Sequence, residues 1–307
     1  MRHFITFDDV SVDELKRILE LAETIKAEYK SGQSKPYLPG KVLALIFEKQ
    51  SLRTRVSFEA GMTHLGGASM FLGDDVGFGK RESTVDFGHV LSSMVDVIAF
   101  RAKKHESVVE LAKYCTCPVI NALTDFAHPC QILADLLTIK ERFHTLEGVK
   151  MAWVGDANNV AASLVRAAVK LGIQVVFATP EKYQFDTQTV TQITAFDPNY
   201  RFEQLTDPFE AVRGADVICT DVWVSMGQET EEAVRKADFA DYQVNGKLLA
   251  AAEKNCIFLH CLPAKRGLEV TDEVMDSPQS AIVQEAENRM HAQKGLLVWL
   301  LNEANSK

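Results

Sequence analysis

Five consecutive residues, Ser51-Leu52-Arg53-Thr54-Arg55, carry two hydroxyls and two guanidiniums. They follow an apolar run over 42–47 and open a helical pattern over 53–64. A strand that runs into a helix N-terminus leaves backbone N–H groups pointing outward. Those donors, with the positive end of the helix dipole, suit a bound phosphate. Ser51 and Thr54 add hydroxyl donors, and Arg53 adds a planar fork matched to phosphate oxygens. The competing reading is structural: Ser51 as a simple N-cap on a surface helix with two solvated arginines.

Further polar groups follow predicted strands. They are Arg101, the run His128-Pro129-Cys130-Gln131, Asn159, the run Asp221-Val222-Trp223-Val224-Ser225-Met226-Gly227, and His260-Cys261-Leu262-Pro263. In an open parallel sheet, ligands bind outside the carboxyl ends of the strands. Taken singly, each has a bland explanation. Arg101 can belong to a basic solvated face with Lys103 and Lys104, and His128 can be a turn histidine. Asn158 and Asn159 can be turn residues, and Cys261 can be inert packing. Six such groups at the same edge argue jointly for a site.

The elements that must position these groups alternate between strand and helix. Ser11 with Glu14 forms a capping box ahead of a helix ending near Lys30. Short apolar runs predict strands at 42–47, 68–72, 97–100, 118–121, 149–154, 173–178, 217–220 and 257–259. Helical patterns fall at 53–64, 85–94, 107–114, 129–143, 160–171, 247–254 and 285–301. Residues 73–84 form a glycine-rich polar loop of the kind that can cover a site. The alternation predicts an α/β protein whose sheets are mostly parallel. A junction at 145–148 divides it into a first domain, 1–144, and a second, 145–284, with helix 285–307 returning to the first. The βαβ unit beginning at 149 lacks the G-x-G-x-x-G fingerprint, so no dinucleotide is implied.

The chain has 307 residues, 47% hydrophobic and 24% charged, with a net charge of −9. That composition is soluble and globular, and it lacks the basic cluster of a nucleic-acid binder. No apolar run approaches the length of a membrane span, and the N-terminus lacks a signal-peptide core. The six cysteines fit no zinc spacing and contain no C-x-x-C pair. A reducing, cytoplasmic compartment is expected.

Ser-Leu-Arg-Thr-Arg, Phe100-Arg101, His-Pro-Cys-Gln, Asp-Val-Trp-Val-Ser-Met-Gly and His-Cys-Leu-Pro occur in this order, and the chain resembles the ornithine carbamoyltransferases over nearly its whole length. The resemblance includes Glu285-Ala-Glu-Asn-Arg289-Met-His-Ala-Gln293. It implies a two-domain fold with carbamoyl phosphate on the first domain and ornithine on the second. It also implies a homotrimer, with no metal or cofactor. By motif, Ser51, Leu52, Arg53 and Thr54 would hold the phosphate. Arg101, His128 and Gln131 would hold the carbamoyl end, completed by Cys261, Leu262 and Arg289. Asn159, Asp221, Ser225 and Met226 would hold ornithine. Arg53, Arg101, His128 and Cys261 would carry the chemistry. Gly77 stands where the family often has Gln or His, and glycine supplies no side chain there. Two rival readings are a carbamoyltransferase for putrescine or an acylated ornithine, and a non-catalytic ligand-binding protein on the same scaffold.

Overall fold

The computed structural model describes residues 1–73, 76–225 and 227–304. The chain divides into two compact units, Met1–Leu137 with the segment from Glu287 onward, and Thr138–Ala286. Each is a parallel sheet flanked by helices.

In the first unit the sheet order is β2-β1-β3-β4, with β1 at Val42–Phe47, β2 at Ala68–Leu72, β3 at Val97–Arg101 and β4 at Val119–Leu123. Every pairing is parallel. Leu43 through Ile46 are fully buried, which is why β1 reads as an unbroken apolar run and not as an alternation. β2 is an edge strand and is mostly exposed. The chain order reverses between β1 and β3, whose register pairs Phe47 with Arg101. Ser51 and Arg101 therefore lie at the carboxyl end of this sheet, at its switch point.

The second unit has β5 (Lys150–Val154), β6 (Gln174–Ala178), β7 (Glu203–Leu205), β8 (Val217–Thr220) and β9 (Ile257–His260), in the order β7-β6-β5-β8-β9. These pairings are also parallel. Its switch point falls between β5 and β8. Gly155, directly after β5, adopts φ +136°, which favours glycine, and a Cβ there would lie 3.3 Å from Thr220 Oγ1. The close approach brings the turn after β5 against the end of β8.

Helix Val12–Lys30 starts at the expected capping box: Ser11 accepts the Glu14 N–H and Glu14 accepts the Ser11 N–H. Helix Ile282–Val298 begins in the second unit and continues into the first. Residues 76–84 are less loose than the composition of the loop suggests. Phe78 sits edge-on to Phe87 and Phe100, at 5.0 and 4.8 Å between ring centroids. Gly77 adopts φ +67°, and a Cβ there would come within 2.7 Å of the Arg81 side chain. A left-handed turn packed against Arg81 accounts for glycine at that position. Asp74 and Asp75 of this loop lie outside the described residues.

Candidate active site

The N-terminus of helix Leu52–His64 forms as the motif predicts. Ser51 is its N-cap, and its Oγ accepts the Thr54 N–H at 3.2 Å and donates to Thr54 Oγ1 at 3.0 Å. Thr54 is buried, and Arg289 also donates to its Oγ1, at 2.9 Å. With two bonds accepted, the Thr54 hydroxyl keeps its own proton to donate. The other terminal nitrogen of Arg289 donates to Gln131 Oε1 at 2.5 Å, and Gln131 Nε2 donates to Asp135 Oδ1 at 2.9 Å. Gln131 thus orients Arg289 and is itself oriented by Asp135. All four residues are buried.

Arg101 ends β3 and is buried. Its carbonyl accepts the Glu48 N–H at 2.9 Å, and the Glu48 carboxylate accepts the Lys103 N–H at 2.7 Å. These bonds tie the turn after β1 to the end of β3. Arg53 is half-buried, and its guanidinium makes no hydrogen bond to another described residue. His128, buried one residue before helix Pro129–Phe143, feels all three arginines. Burial first, then Arg289, Arg101 and Arg53, drive its pKa well below the ordinary imidazole value. It is therefore a neutral ring among cations at neutral pH. Lys49, which the sequence reading passed over, adds charge nearby: burial and then Arg101 lower its pKa. Neutral and cationic donors around a helix N-terminus suit an anion whose charge grows during reaction.

In the second unit, Asn158 caps helix Asn159–Leu171, accepting the N–H groups of Val160 and Ala161 at 2.9 and 3.1 Å. Its Nδ2 donates to Asp221 Oδ2 at 2.8 Å. The register of β8 and β9 pairs Thr220 with His260, so Asp221 and Cys261 emerge side by side. Cys261 Sγ donates to Asp221 Oδ1 at 3.1 Å, and that oxygen also accepts the Val222 N–H. The thiol proton of Cys261 is thereby aimed at a carboxylate oxygen. Asp221 and Cys261 are thus coupled directly by a hydrogen bond across the ends of two neighbouring strands.

His260 supports this pair from behind. Its backbone N–H donates to Glu285 Oε2 at 2.8 Å, and its Nδ1 accepts the Leu262 N–H at 2.9 Å. The ring proton therefore resides on Nε2, 3.3 Å from Glu269 Oε1. Leu262 takes φ +56°, an uncommon conformation for a branched residue and a mark of local strain. Asp221, His260 and Cys261 offer donor atoms within 4.8 Å of one another, a set that a cation could use. All three are engaged in hydrogen bonds of their own, Asp221 through both oxygens, so a cation would have to displace them.

Ser51, Leu52, Arg53, Thr54, Arg101, His128, Gln131 and Arg289 fall in the first unit. Asn159, Asp221, Ser225, Cys261 and Leu262 fall in the second. Leu52 is 74% exposed, so only its backbone suits a phosphate contact. Asn159 is half-buried as the first residue of its helix. The Ser225 N–H is taken by Gln228 Oε1 at 3.0 Å, and a substrate carboxylate would have to displace it. Met226 lies outside the described residues. Sequence reasoning treated Asn158 as turn chemistry. Its N-cap position, one residue before an apolar helix, was the signal that it is held in a fixed orientation.

Two family models match. The aspartate/ornithine carbamoyltransferase carbamoyl-P binding domain spans residues 2–141, and the Asp/Orn binding domain of the same family spans 147–300. The chain is 51% identical over 304 residues to an ornithine carbamoyltransferase of Carboxydothermus hydrogenoformans, covering 98% of this chain and 97% of that relative. The solved ornithine carbamoyltransferase of Pyrococcus furiosus superposes with a TM-score of 0.94 at 48% identity, over 99% of this chain and 98% of that one. The anabolic enzyme of Campylobacter jejuni gives 0.92 at 37% identity, over 99% and 100%.

Proposed function

The chain belongs to the aspartate/ornithine carbamoyltransferase family, and from that premise we propose that it transfers the carbamoyl group of carbamoyl phosphate to the δ-amine of L-ornithine, giving L-citrulline and phosphate. The observation that carries the proposal is the gathering of Arg53, Arg101 and Arg289 about a neutral His128 at a helix N-terminus. Ser51, Thr54, Arg53 and the Leu52 backbone take the phosphate. Arg101 and His128 take the carbamoyl oxygen, and Gln131 holds Arg289 in place.

The neutral δ-amine attacks the carbonyl carbon, forming C–N while the C–O bond to phosphate breaks. Negative charge grows first on the carbonyl oxygen and then on the departing phosphate. Donors fixed where that charge develops are each worth roughly 3–4 kcal/mol. Holding two substrates at near-attack distance supplies much of the remaining acceleration. On the second unit, Asp221 accepts an ammonium of ornithine, and Asn159 with the backbone at Ser225 and Met226 meets the α-carboxylate. Cys261 takes the proton that the attacking amine loses as its own thiol proton passes to the Asp221 carboxylate to which it is hydrogen-bonded.

The test is a product assay with carbamoyl phosphate and a panel of amines. Citrulline and phosphate should form in equal amounts with ornithine. A higher kcat/KM with putrescine or an acylated ornithine would contradict the reading, and no turnover with any amine would favour a binding protein.

A homotrimer is part of the proposal. Leu52 and Val56 on helix Leu52–His64, with Met70 and Phe71 on the edge strand β2, present large apolar side chains to solvent. The Arg55 guanidinium lies 4.0 Å over the Phe71 ring on the same surface. An unpaired apolar edge is a recognised docking surface. Light scattering should give three chain masses, and a monomer would contradict it. The six free thiols support a reducing compartment, which fits a cytoplasmic enzyme. No helix among the described residues is long and apolar enough to cross a membrane.

A further inference from the structure

Arg235 lies on helix Glu232–Asp238, among other charged residues, yet it is 3% exposed. Its guanidinium is held by hydrogen bonds at Nε and at one terminal nitrogen. Nε donates to the Trp223 carbonyl at 2.7 Å, and one terminal nitrogen forms an ion pair with the Asp156 carboxylate. The other terminal nitrogen stands 3.7 Å from Glu231. The Tyr183 and Phe239 rings flank it at 4.6 and 5.6 Å from its central carbon. A buried charge is tolerated when it is paired and hydrogen-bonded, as this one is to Asp156 and the Trp223 carbonyl.

The two ends of this grip are the two loops that carry the proposed amine site. Asp156 belongs to the turn after β5, and its carbonyl accepts the N–H of Asn158 at 2.9 Å and the indole N–H of Trp153 at 2.9 Å. That turn delivers Asn158 and Asn159 at the start of their helix. Trp223 belongs to the segment after β8 that delivers Asp221 and Ser225. Its indole N–H finds no acceptor among the described residues. Its ring stacks on Phe239 at 6.0 Å, so the segment is held at Trp223 by ring packing and by the carbonyl bond to Arg235. The second tether between the two loops is the bond from Asn158 to Asp221.

We propose that Arg235 is a positioning residue for the amine half-site: through Asp156 and the Trp223 carbonyl it fixes the separation between Asn159 and Ser225, and so the fit to an α-amino-acid headgroup. The inference rests on the reading that the second unit takes ornithine. Arg235 does not itself touch the substrate. Loosening it should weaken recognition of the amine while leaving the carbamoyl phosphate site, built in the first unit, as it was.

Arg235→Lys separates this role from simple stability. A single ammonium can stay paired with Asp156, but it cannot fill both the Nε and the terminal-nitrogen positions. The expected result is a rise of about tenfold in the KM for ornithine, the equivalent of one lost hydrogen bond. The KM for carbamoyl phosphate should stay within about twofold of the parent, since nothing in its site has been touched. Asp156→Asn keeps an oxygen that can accept from Arg235, so its ornithine KM should fall between the parent and Arg235→Lys. Thermal unfolding of each variant checks that the fold is intact. An unchanged ornithine KM in folded Arg235→Lys overturns the proposal, as does a parallel change in both KM values. Should Arg235→Lys not fold, Asp156→Asn decides by the same two KM values. A parent enzyme that fails to use ornithine would instead overturn the substrate reading, before any variant is compared.

Discussion

Arg289 donates to the Thr54 hydroxyl at 2.9 Å, although 235 positions separate the two in sequence. The C-terminal helix thereby supplies a buried cation to the first turn of helix Leu52–His64. Because Thr54 also accepts from Ser51, one network joins the N-cap, the hydroxyl and the guanidinium.

Replacing Arg289 should therefore cost both stability and substrate affinity. Arg289→Met leaves Gln131 Oε1 buried without the Arg289 donor, at about 1–3 kcal/mol for an unsatisfied group, while Thr54 keeps its bond from Ser51. Thermal unfolding should shift downward by several degrees (roughly 2–4 °C per kcal/mol for a unit of this size). The KM for carbamoyl phosphate should rise together with that loss. An unchanged melting temperature would show that the network is not part of the folded core.

Arg53 should behave in the opposite way. Its guanidinium makes no hydrogen bond to another described residue, so Arg53→Gly removes no side-chain bond among them. Stability should change only by the weaker helix propensity of glycine, about 1 kcal/mol. Turnover should fall at least about 100-fold, as expected for a lost charge-stabilising donor. A folded variant with parental turnover would remove Arg53 from the site.

The pH dependence should carry the mark of His128. Its folded pKa is depressed by burial and by Arg289, Arg101 and Arg53, while the unfolded ring titrates near 6.5. Between those values the unfolded chain binds more protons, so this contribution to stability is complete above pH 6.5 and is lost as pH falls below it. His128→Gln should then lose less stability than the parent between pH 7.5 and 5.5, measured by urea unfolding. A ring resonance of His128 titrating near 6.5 in the folded protein would contradict the assignment.

Lys294 gives an independent check on burial. It is fully buried, its amine has no hydrogen-bond acceptor among the described residues, and it lies 4.6 Å over the Tyr29 ring. Burial lowers its pKa to about 8 from an ordinary 10.5. The cost of burying the ammonium is full below pH 8 and disappears above 10.5. Lys294→Met should raise stability at pH 7, with the gain shrinking as pH rises through 8 toward 10. A loss of stability at pH 7 would mean that the ring contact outweighs desolvation.

The parts of the fold that were legible in the sequence are those where a local signal and the tertiary environment agree. β1 and β8 are buried on both faces and appear as continuous apolar runs. Ser11 and Glu14 satisfy each other within one helical turn. The edge strand β7 is Glu-Gln-Leu and half-exposed, so no apolar run announces it. The short helices Thr187–Ile193, Pro208–Val212 and Asp272–Met275 are too brief for a clear period. Arg235 was invisible for a different reason. Its environment comes from Asp156, 79 positions away, and a charged helix carries no trace of that partner. The pairing of Asp221 with Cys261 was likewise set by the register of β8 and β9, which neither segment specifies alone.

The measurement that bears most directly on the account is the ratio of kcat/KM for ornithine to that for putrescine, with carbamoyl phosphate saturating. Putrescine carries the reacting amine but neither α group. A site that pairs those groups through Asp221, Asn159 and the Ser225 backbone would leave its own polar atoms unpaired with putrescine bound. The expected preference for ornithine is on the order of 10⁴-fold. Comparable values for the two amines would contradict the assignment of those residues, and with it ornithine as the substrate.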